Sequence, residues 1–291
     1  MPVLTAEALQ FLQPERGGIY VDCTVGLGGH ASAILAAGAT RLIGLDRDGD
    51  ALALARSALA PWDARVALMH ADYRALDTVL DGLGVPLVDG ALADLGVSSM
   101  QFDEPGRGFS FQRDEPLDMR MDRSDGDTAA ALVERASEEA LADAIFQFGE
   151  ERFSRRIARA IVYARREAPI ATTGRLAAIV RRAIPRRGSA RMRIDPATRT
   201  FQALRIWVNN ELEGLDRFLE TAARRLRQGA RLVVVTFHSL EDRIVKHTFR
   251  ALAQSEIVRV LTKKPIVPGG EEVRNNPRAR SAKLRAAERL S

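Results

Sequence analysis

Within its first hundred residues the chain repeats one pattern, a short apolar run followed by a segment of helical periodicity, and this alternation constrains the fold more than any other feature. Ile19-Tyr-Val-Asp22, Arg41 to Leu45, Val66 to Met69 and Leu87 to Leu95 read as strands. Between them, residues 29–37, 48–59 and 76–80 read as helices. Strands joined through helices pair in parallel with right-handed crossovers, so the expected architecture is a doubly wound α/β sheet. Ligands on such sheets bind beyond the carboxyl ends of the strands, which directs attention to the residues just after each one.

The alternation stops after the fourth strand. Residues 98–127 read as a long polar loop, and helical periodicity then runs from Asp127, through 150–166 and 172–183, to a helix opened by Pro196 that passes Trp207. A strand returns at Arg231 to Phe237, followed by a helix over 240–252 and a strand over 257–261. An all-helical segment, residues 104–205, is therefore expected as an insertion into one sheet domain built from residues 1–103 and 206–291. The tail from Lys263 to Ser291, with Pro265, Pro268-Gly-Gly270 and Asn276-Pro277, reads as an extended basic arm and not as a packed element.

Charge divides the chain in the same places. Residues 1–102 sum to −6 and residues 103–151 to −9, whereas residues 152–205 carry 15 Arg against only Glu167 and Asp195, a net +13. Like charges at that density repel one another unless a polyanion is present, and exclusive use of arginine suits bidentate phosphate recognition. The aromatics there are few (Phe153, Tyr163, Phe201), which favours phosphate contact over a base-stacking platform. The lone cysteine, Cys23, cannot form an intramolecular bridge or a Cys-rich zinc site, and no metal is expected. No apolar run of membrane-spanning length and no cationic apolar leader is present, and the expectation is a cytoplasmic protein without a membrane partner.

The first strand ends in Asp22-Cys-Thr-Val-Gly26-Leu-Gly28-Gly29-His30-Ala31. Gly26-x-Gly28-x-x-Ala31 fits a dinucleotide-type turn, and Asp46 lies 20 residues past Gly26, where an acid that binds ribose hydroxyls is expected. Both NAD and S-adenosylmethionine use this geometry. Asp46 could instead cap the next helix, a task that Asp48 can perform equally well. After the third strand, Tyr73 can stack on an adenine and Asp72 can accept its amino group. Asp94, at the end of the fourth strand, faces the reacting end of a cofactor, or is a buried acid satisfied by the following turn.

Nine ordered motifs make a specific resemblance. They are Asp22-x-Thr-x-Gly-x-Gly-Gly-His30, Asp94-Leu-Gly-Val-Ser-Ser99, Arg107-Gly-Phe-Ser-Phe111, Pro116-Leu-Asp-Met-Arg-Met-Asp122, Gly149-Glu-Glu-Arg152, Ala197-Thr-Arg-Thr-Phe-Gln-Ala203, Arg205-Ile-Trp-Val-Asn209, Phe237-His-Ser-Leu-Glu-Asp-Arg243 and Asn276-Pro-Arg-Ala-Arg280. Spanning Val3 to about Arg289, they resemble the RsmH (MraW) family of 16S rRNA cytosine-N4 methyltransferases. The resemblance implies a class I S-adenosylmethionine-dependent (Rossmann-like) methyltransferase sheet with an inserted helical substrate domain. It implies cofactor contacts at Gly28, Gly29, His30, Asp46, Tyr73, Asp94 and Gln101, and as partner the 16S rRNA of the small ribosomal subunit. A homodimer stays open. Two departures from the family pattern are the absence of a His before Pro2-Val-Leu4, and Cys23-Thr-Val25 in place of the usual Gly-Thr-Phe.

For such a reaction Asp94 is the expected catalytic residue, accepting a hydrogen of the target amine. Ser98, Ser99 and His238 are expected to hold the base edge, and Arg181, Arg182, Arg186, Arg187 and Arg199 to contact RNA phosphates. A nicotinamide dehydrogenase would share the glycine turn and Asp46 but leaves the basic insert unexplained. A non-enzymatic RNA-binding protein would share the arginines but has no use for the glycine turn and Asp94.

Overall fold

The computed structural model describes residues 2–185 and 195–291, and the chain divides into two compact units, Met1–Gly96 with Leu212–Ser291 and Val97–Glu211. The boundaries expected at 103/104 and 205/206 thus fall at 96/97 and 211/212. The short helix after the fourth strand belongs to the insert, and the helix through Trp207 stays with the insert to its end.

The first unit is built on seven strands: β1 (Ile19–Asp22), β2 (Arg41–Asp46), β3 (Val66–His70), β4 (Val88–Asp94), β5 (Leu226–Thr236), β6 (Val258–Val260) and β7 (Lys283–Arg289). Their order is β3-β2-β1-β4-β5-β7-β6. β1 to β5 run parallel where they pair, and β7 lies antiparallel to β5 and β6. Side chains alternate between two apolar layers, as strand geometry requires. Tyr20, Leu42, Leu92, Val233, Val235 and Leu284 face the layer with helices α1 (Thr5–Leu12), α2 (Gly29–Ala36) and α3 (Gly49–Ala58). Val21, Ile43, Ala91, Ala93, Leu232 and Val234 face the layer with α4 (Leu76–Gly82), α11 (Leu215–Arg224) and α12 (Ser239–Gln254). Because β2 and β3 lie to one side of β1 and β4 and β5 to the other, the crossover connections after β1 and β4 run to opposite sides of the sheet. The carboxyl ends of β1 and β4 form the switch point at which such sheets bind ligands.

The tail departs from expectation. It contains the short helix α13 (Gly270–Asn275) and then β7, which enters the sheet between β5 and β6. Leu284, Ala286 and Ala287 are buried in the two layers. Arg285, only 6% exposed, is accommodated because its Nε donates to Asp242 Oδ1 of α12 at 2.6 Å, while Lys283 Nζ reaches Oδ2 of the same carboxylate at 3.1 Å.

The insert holds α5 (Ser99–Asp103), α6 (Ala129–Arg135), α7 (Glu138–Gly149), α8 (Ser154–Glu167), α9 (Thr173–Ala183) and α10 (Ala197–Asn209) around its own core. Residues 98–127, expected as a long polar loop, are irregular after α5 but contribute apolar side chains to this core. Phe109, Leu117, Met119 and Met121 are buried with Ile145, Ile157, Val180 and Phe201. Arg107 lies inside as well, its guanidinium donating to the carbonyl of Met121 at 3.0 Å. Asn209 fixes the segment from α10, donating to Met119 O and accepting from Met121 N, both at 2.8 Å. Buried polar groups satisfied in this way let irregular backbone occupy an interior position. Among the described residues no helix is long and apolar enough to cross a membrane.

Candidate active site

The glycine turn follows β1 at this switch point. Gly26 and Gly28 have φ of +51° and +82°, a region that costs a side chain strain, and a Cβ on Gly28 would also lie 3.2 Å from Leu59 Cγ. Gly28 is the N-cap of α2, whose first turn carries Gly29 and His30. The turn is tied to β2 through Asp46. Its Oδ2 accepts from Gly26 N at 2.7 Å and its Oδ1 from Asp48 N at 2.9 Å. Asp48 is the cap of α3, accepting from Asp50 N and Ala51 N, so Asp46 is not engaged as the N-cap. Burial pushes the Asp46 carboxyl up, opposed by those two backbone N–H bonds. Each oxygen keeps acceptor capacity for a ribose hydroxyl.

Three ionisable groups stand at the same strand ends. Asp22 closes β1 and is 1% exposed; its Oδ1 accepts from Thr24 N at 3.2 Å. Burial pushes its pKa up to about 7, against the opposing charge of His30 and the Thr24 N–H bond, with Asp94 and Asp46 adding repulsion. Asp94 closes β4, and its backbone N–H donates to Thr24 Oγ1 at 2.7 Å, which latches the β1 turn to the end of β4. His30 Nε2 lies 3.4 Å from Asp94 Oδ2. Burial opposes protonation of His30, but the adjacent Asp94 carboxylate and the Asp22 charge hold the imidazole above its ordinary pKa. Asp94 Oδ1 is buried without a hydrogen-bond partner, and His30 Nε2, despite its proximity to Oδ2, is outside good bonding geometry. A buried acceptor left unmade is costly, and it marks where a ligand donor belongs.

Other expected residues are placed differently. Tyr73 is buried in the core with its ring centroid 4.6 Å from that of Phe218, so packing on its neighbour is its visible role. Asp72 is engaged by Arg74, at 2.7 and 2.8 Å to its two oxygens, which disfavours the expected adenine contact. Ser98, Ser99 and Gln101 belong to the second unit. Ser98 and Gln101 form a reciprocal cap on α5, with Ser98 N donating to Gln101 Oε1 at 3.0 Å and Gln101 N to Ser98 Oγ at 3.3 Å. His238 caps α12, its Nδ1 accepting from Glu241 N at 3.4 Å and its Nε2 lying 3.1 Å from Glu241 Oε1. Cys23 is buried, and burial together with the Asp22 charge pushes its thiol pKa well up, which leaves it inert.

In the insert, Arg181 pairs with Asp195 at 2.8 Å and lies over the Phe111 ring, and Arg199 is 3.6 Å from Glu151. Arg182 is exposed on α9, and Arg186 and Arg187 lie outside the described residues. The residue that sequence reasoning left without a role is Thr24. Only its place one residue past the first strand's carboxylate neighbourhood hinted at it, since its latch runs to a residue 70 positions away.

A seven-stranded sheet in this order, with a glycine turn after β1, an acid closing β2 and an unsatisfied carboxylate closing β4, defines a class I methyltransferase. The chain belongs to the MraW methylase family, whose model matches residues 1–290. It is 54% identical to the ribosomal RNA small subunit methyltransferase H of Sorangium cellulosum, over 99% of this chain and 90% of that protein. To the protein of the same name from Nitratidesulfovibrio vulgaris strain DP4 it is 52% identical, over 100% and 95%. An rRNA methylase structure from Streptococcus thermophilus covers 98% of this chain, and this chain 95% of it, at 12% identity and a TM-score of 0.45.

Proposed function

We propose that the protein uses S-adenosylmethionine to methylate the exocyclic N4 amine of a cytidine in the decoding region of 16S rRNA, within the small ribosomal subunit. The observation that carries this reading is the buried, unpartnered Asp94 Oδ1 at the sheet's switch point, beside a glycine turn and Asp46. The residues fit the cofactor: backbone N–H groups of the turn suit a carboxylate, Asp46 suits ribose hydroxyls, and Asp94 with His30 stands at the end where transfer occurs. S-adenosylmethionine supplies an electrophilic methyl on a sulfonium that departs as a neutral thioether.

The chain's own task is mainly positioning, because an activated donor needs in-line approach more than further activation. The N4 amine is a poor nucleophile, its lone pair delocalised into the ring. Asp94 accepts one amine hydrogen, favours localisation of the lone pair, and takes up the proton that the nitrogen sheds on bonding carbon. His30 Nε2 lies 3.4 Å from that carboxylate, which holds the imidazole above its ordinary pKa. A stacked cytosine has to be turned out of the RNA to reach this depth. The basic insert supplies the phosphate contacts, with Arg182 and, on α8, Arg155, Arg156, Arg159 and Arg166 exposed for them.

Calorimetry tests the cofactor assignment. S-adenosylmethionine or its demethylated product should bind in preference to NAD, and Asp46→Ala should weaken that binding by about 1.5–3 kcal/mol, the worth of hydrogen bonds to a charged group. Unchanged affinity in the variant removes Asp46 from the site, and preference for NAD overturns the reading.

A further inference from the structure

The basic insert looks uniform in sequence, but its arginines divide into two sets in the structure. One set serves the fold. Arg165 donates to the carbonyls of Val133 and Ala136 at 2.6 and 2.7 Å, and Arg175 to those of Ala164 and Ala168 at 3.3 and 3.0 Å. Arg205 forms a two-pronged pair with Glu211 at 2.9 and 2.8 Å, and Arg181 is held by Asp195 and Phe111. The other set is exposed: Arg152, Arg182 and Arg199 lie on separate elements, whereas Arg155, Arg156, Arg159 and Arg166 stand together on a single helix, α8.

At 3.6 residues per turn these four and Tyr163 fall within an arc of about 100°, opposite the buried arc of Ser154, Ile157, Ala158 and Ile161. Tyr163 lies inside this arc and is 65% exposed, whereas Phe201 is 4% exposed in the core. Arg159 is drawn to a carboxylate, Glu138 at 3.4 Å, but the two side chains are 79% and 44% exposed, and such a pair exchanges readily for a phosphate. The stripe from Arg155 to Arg166 is about 17 Å long, the axial length of about five stacked nucleotides at ~3.4 Å each.

We infer that this face of α8 is a landing surface for single-stranded RNA, in which arginines 155, 156, 159 and 166 bind successive phosphates and Tyr163 stacks on an unpaired base. The inference rests on the rRNA methyltransferase reading and gives its substrate a defined path on the insert. It adds one stacking contact to an insert whose low aromatic count favours phosphate contact over a base-stacking platform. A single aromatic suffices when it stands exposed in the middle of the charge. A polyanion with flat faces matches a row of planar cations interrupted by a phenol ring better than an acidic protein surface does, because every base offers a π-face and every nucleotide a phosphate.

The test is a salt titration of binding to a fluorescent, unstructured oligoribonucleotide, with thermal melts confirming that each variant is folded. Replacing Arg155, Arg156, Arg159 and Arg166 together by Gln should lower affinity and reduce the slope of log K against log salt by about 2.8, at ~0.7 per phosphate contact. Tyr163→Ala should weaken binding on the order of 5- to 150-fold, and Tyr163→Trp should restore it. Arg182→Gln should shift the slope by no more than about one contact, and cofactor affinity should be unchanged throughout. Parental affinity and slope in both the quadruple and the Tyr163→Ala variants overturn the inference. If those variants instead change sedimentation behaviour, the stripe is a protein-contact surface and the inference is equally lost. Methyl incorporation into small subunits, measured in parallel on the parent protein, separates failure of this surface from failure of the functional reading.

Discussion

Asp94→Ala is expected to lower the single-turnover rate of methyl transfer by on the order of 10²–10⁴-fold under saturating cofactor, the range that a positioned acid or base contributes. The side chain closes β4 at the sheet's switch point, and its Oδ1 is buried with no protein partner. Removing it takes away the acceptor for the target amine and the anion beside His30. Affinity for rRNA should change little, because the exposed arginine row of α8 is on the other unit. Asp94→Asn distinguishes chemistry from packing: it keeps the shape and one acceptor oxygen but cannot take up a proton, so its rate should stay low while its thermal midpoint stays near the parent's. A parental single-turnover rate in either variant shows that another group does this work.

The second large effect concerns stability. Asp242→Ala leaves Arg285 buried in β7 without its carboxylate, and breaking a buried pair from one side costs about 3 kcal/mol or more. The pH dependence has a definite sign. Although burial raises the Asp242 carboxyl, its bonds to Arg285 and Lys283 hold the pKa below the ordinary 3.8 in the folded protein. Its contribution is therefore complete above that unfolded value and is lost as pH falls through the folded one. Denaturant unfolding of parent and variant should differ most at neutral pH and converge in strong acid. A constant difference across pH would show that the pairing charge is not what stabilises β7.

β7 also shows where the sequence stops being legible. Lys-Leu-Arg-Ala-Ala-Glu-Arg, over 283–289, has four charged residues in seven and no β-branched side chain, so neither propensity nor alternation marks a strand. It becomes one because a long-range partner, Asp242, neutralises Arg285, and because β5 and β6 leave a slot between them. By contrast β1 to β4 and their helices were readable to within a few residues, since buried parallel strands are continuous apolar runs. Residues 98–127 are loop-like after α5, as their composition predicts, but their burial is not legible from it. Their carboxylates and prolines look like surface loop, while the burial of Met119 and Met121 depends on Asn209, about 90 residues later.

The candidate site was legible as a set of strand-end residues, and the glycine turn and Asp46 needed only spacing. The coupling of Asp22, Thr24, His30 and Asp94 was not, because it links the ends of two strands that are adjacent in space but some 70 residues apart in sequence. Tyr73 illustrates a further limit. An aromatic after β3 carries the same pattern whether it faces a cofactor or packs on Phe218, and only the packing is a property of the chain itself.

The most direct measurement of the central claim is to incubate the protein with methyl-labelled S-adenosylmethionine and undermethylated small ribosomal subunits, then map the label by nuclease digestion and mass spectrometry. One labelled cytidine in the decoding region of 16S rRNA, carrying the methyl on N4 and absent with Asp94→Ala, is the expected result. Label on a ring carbon or a ribose, label outside 16S rRNA, or no label from a protein that binds the cofactor would contradict it.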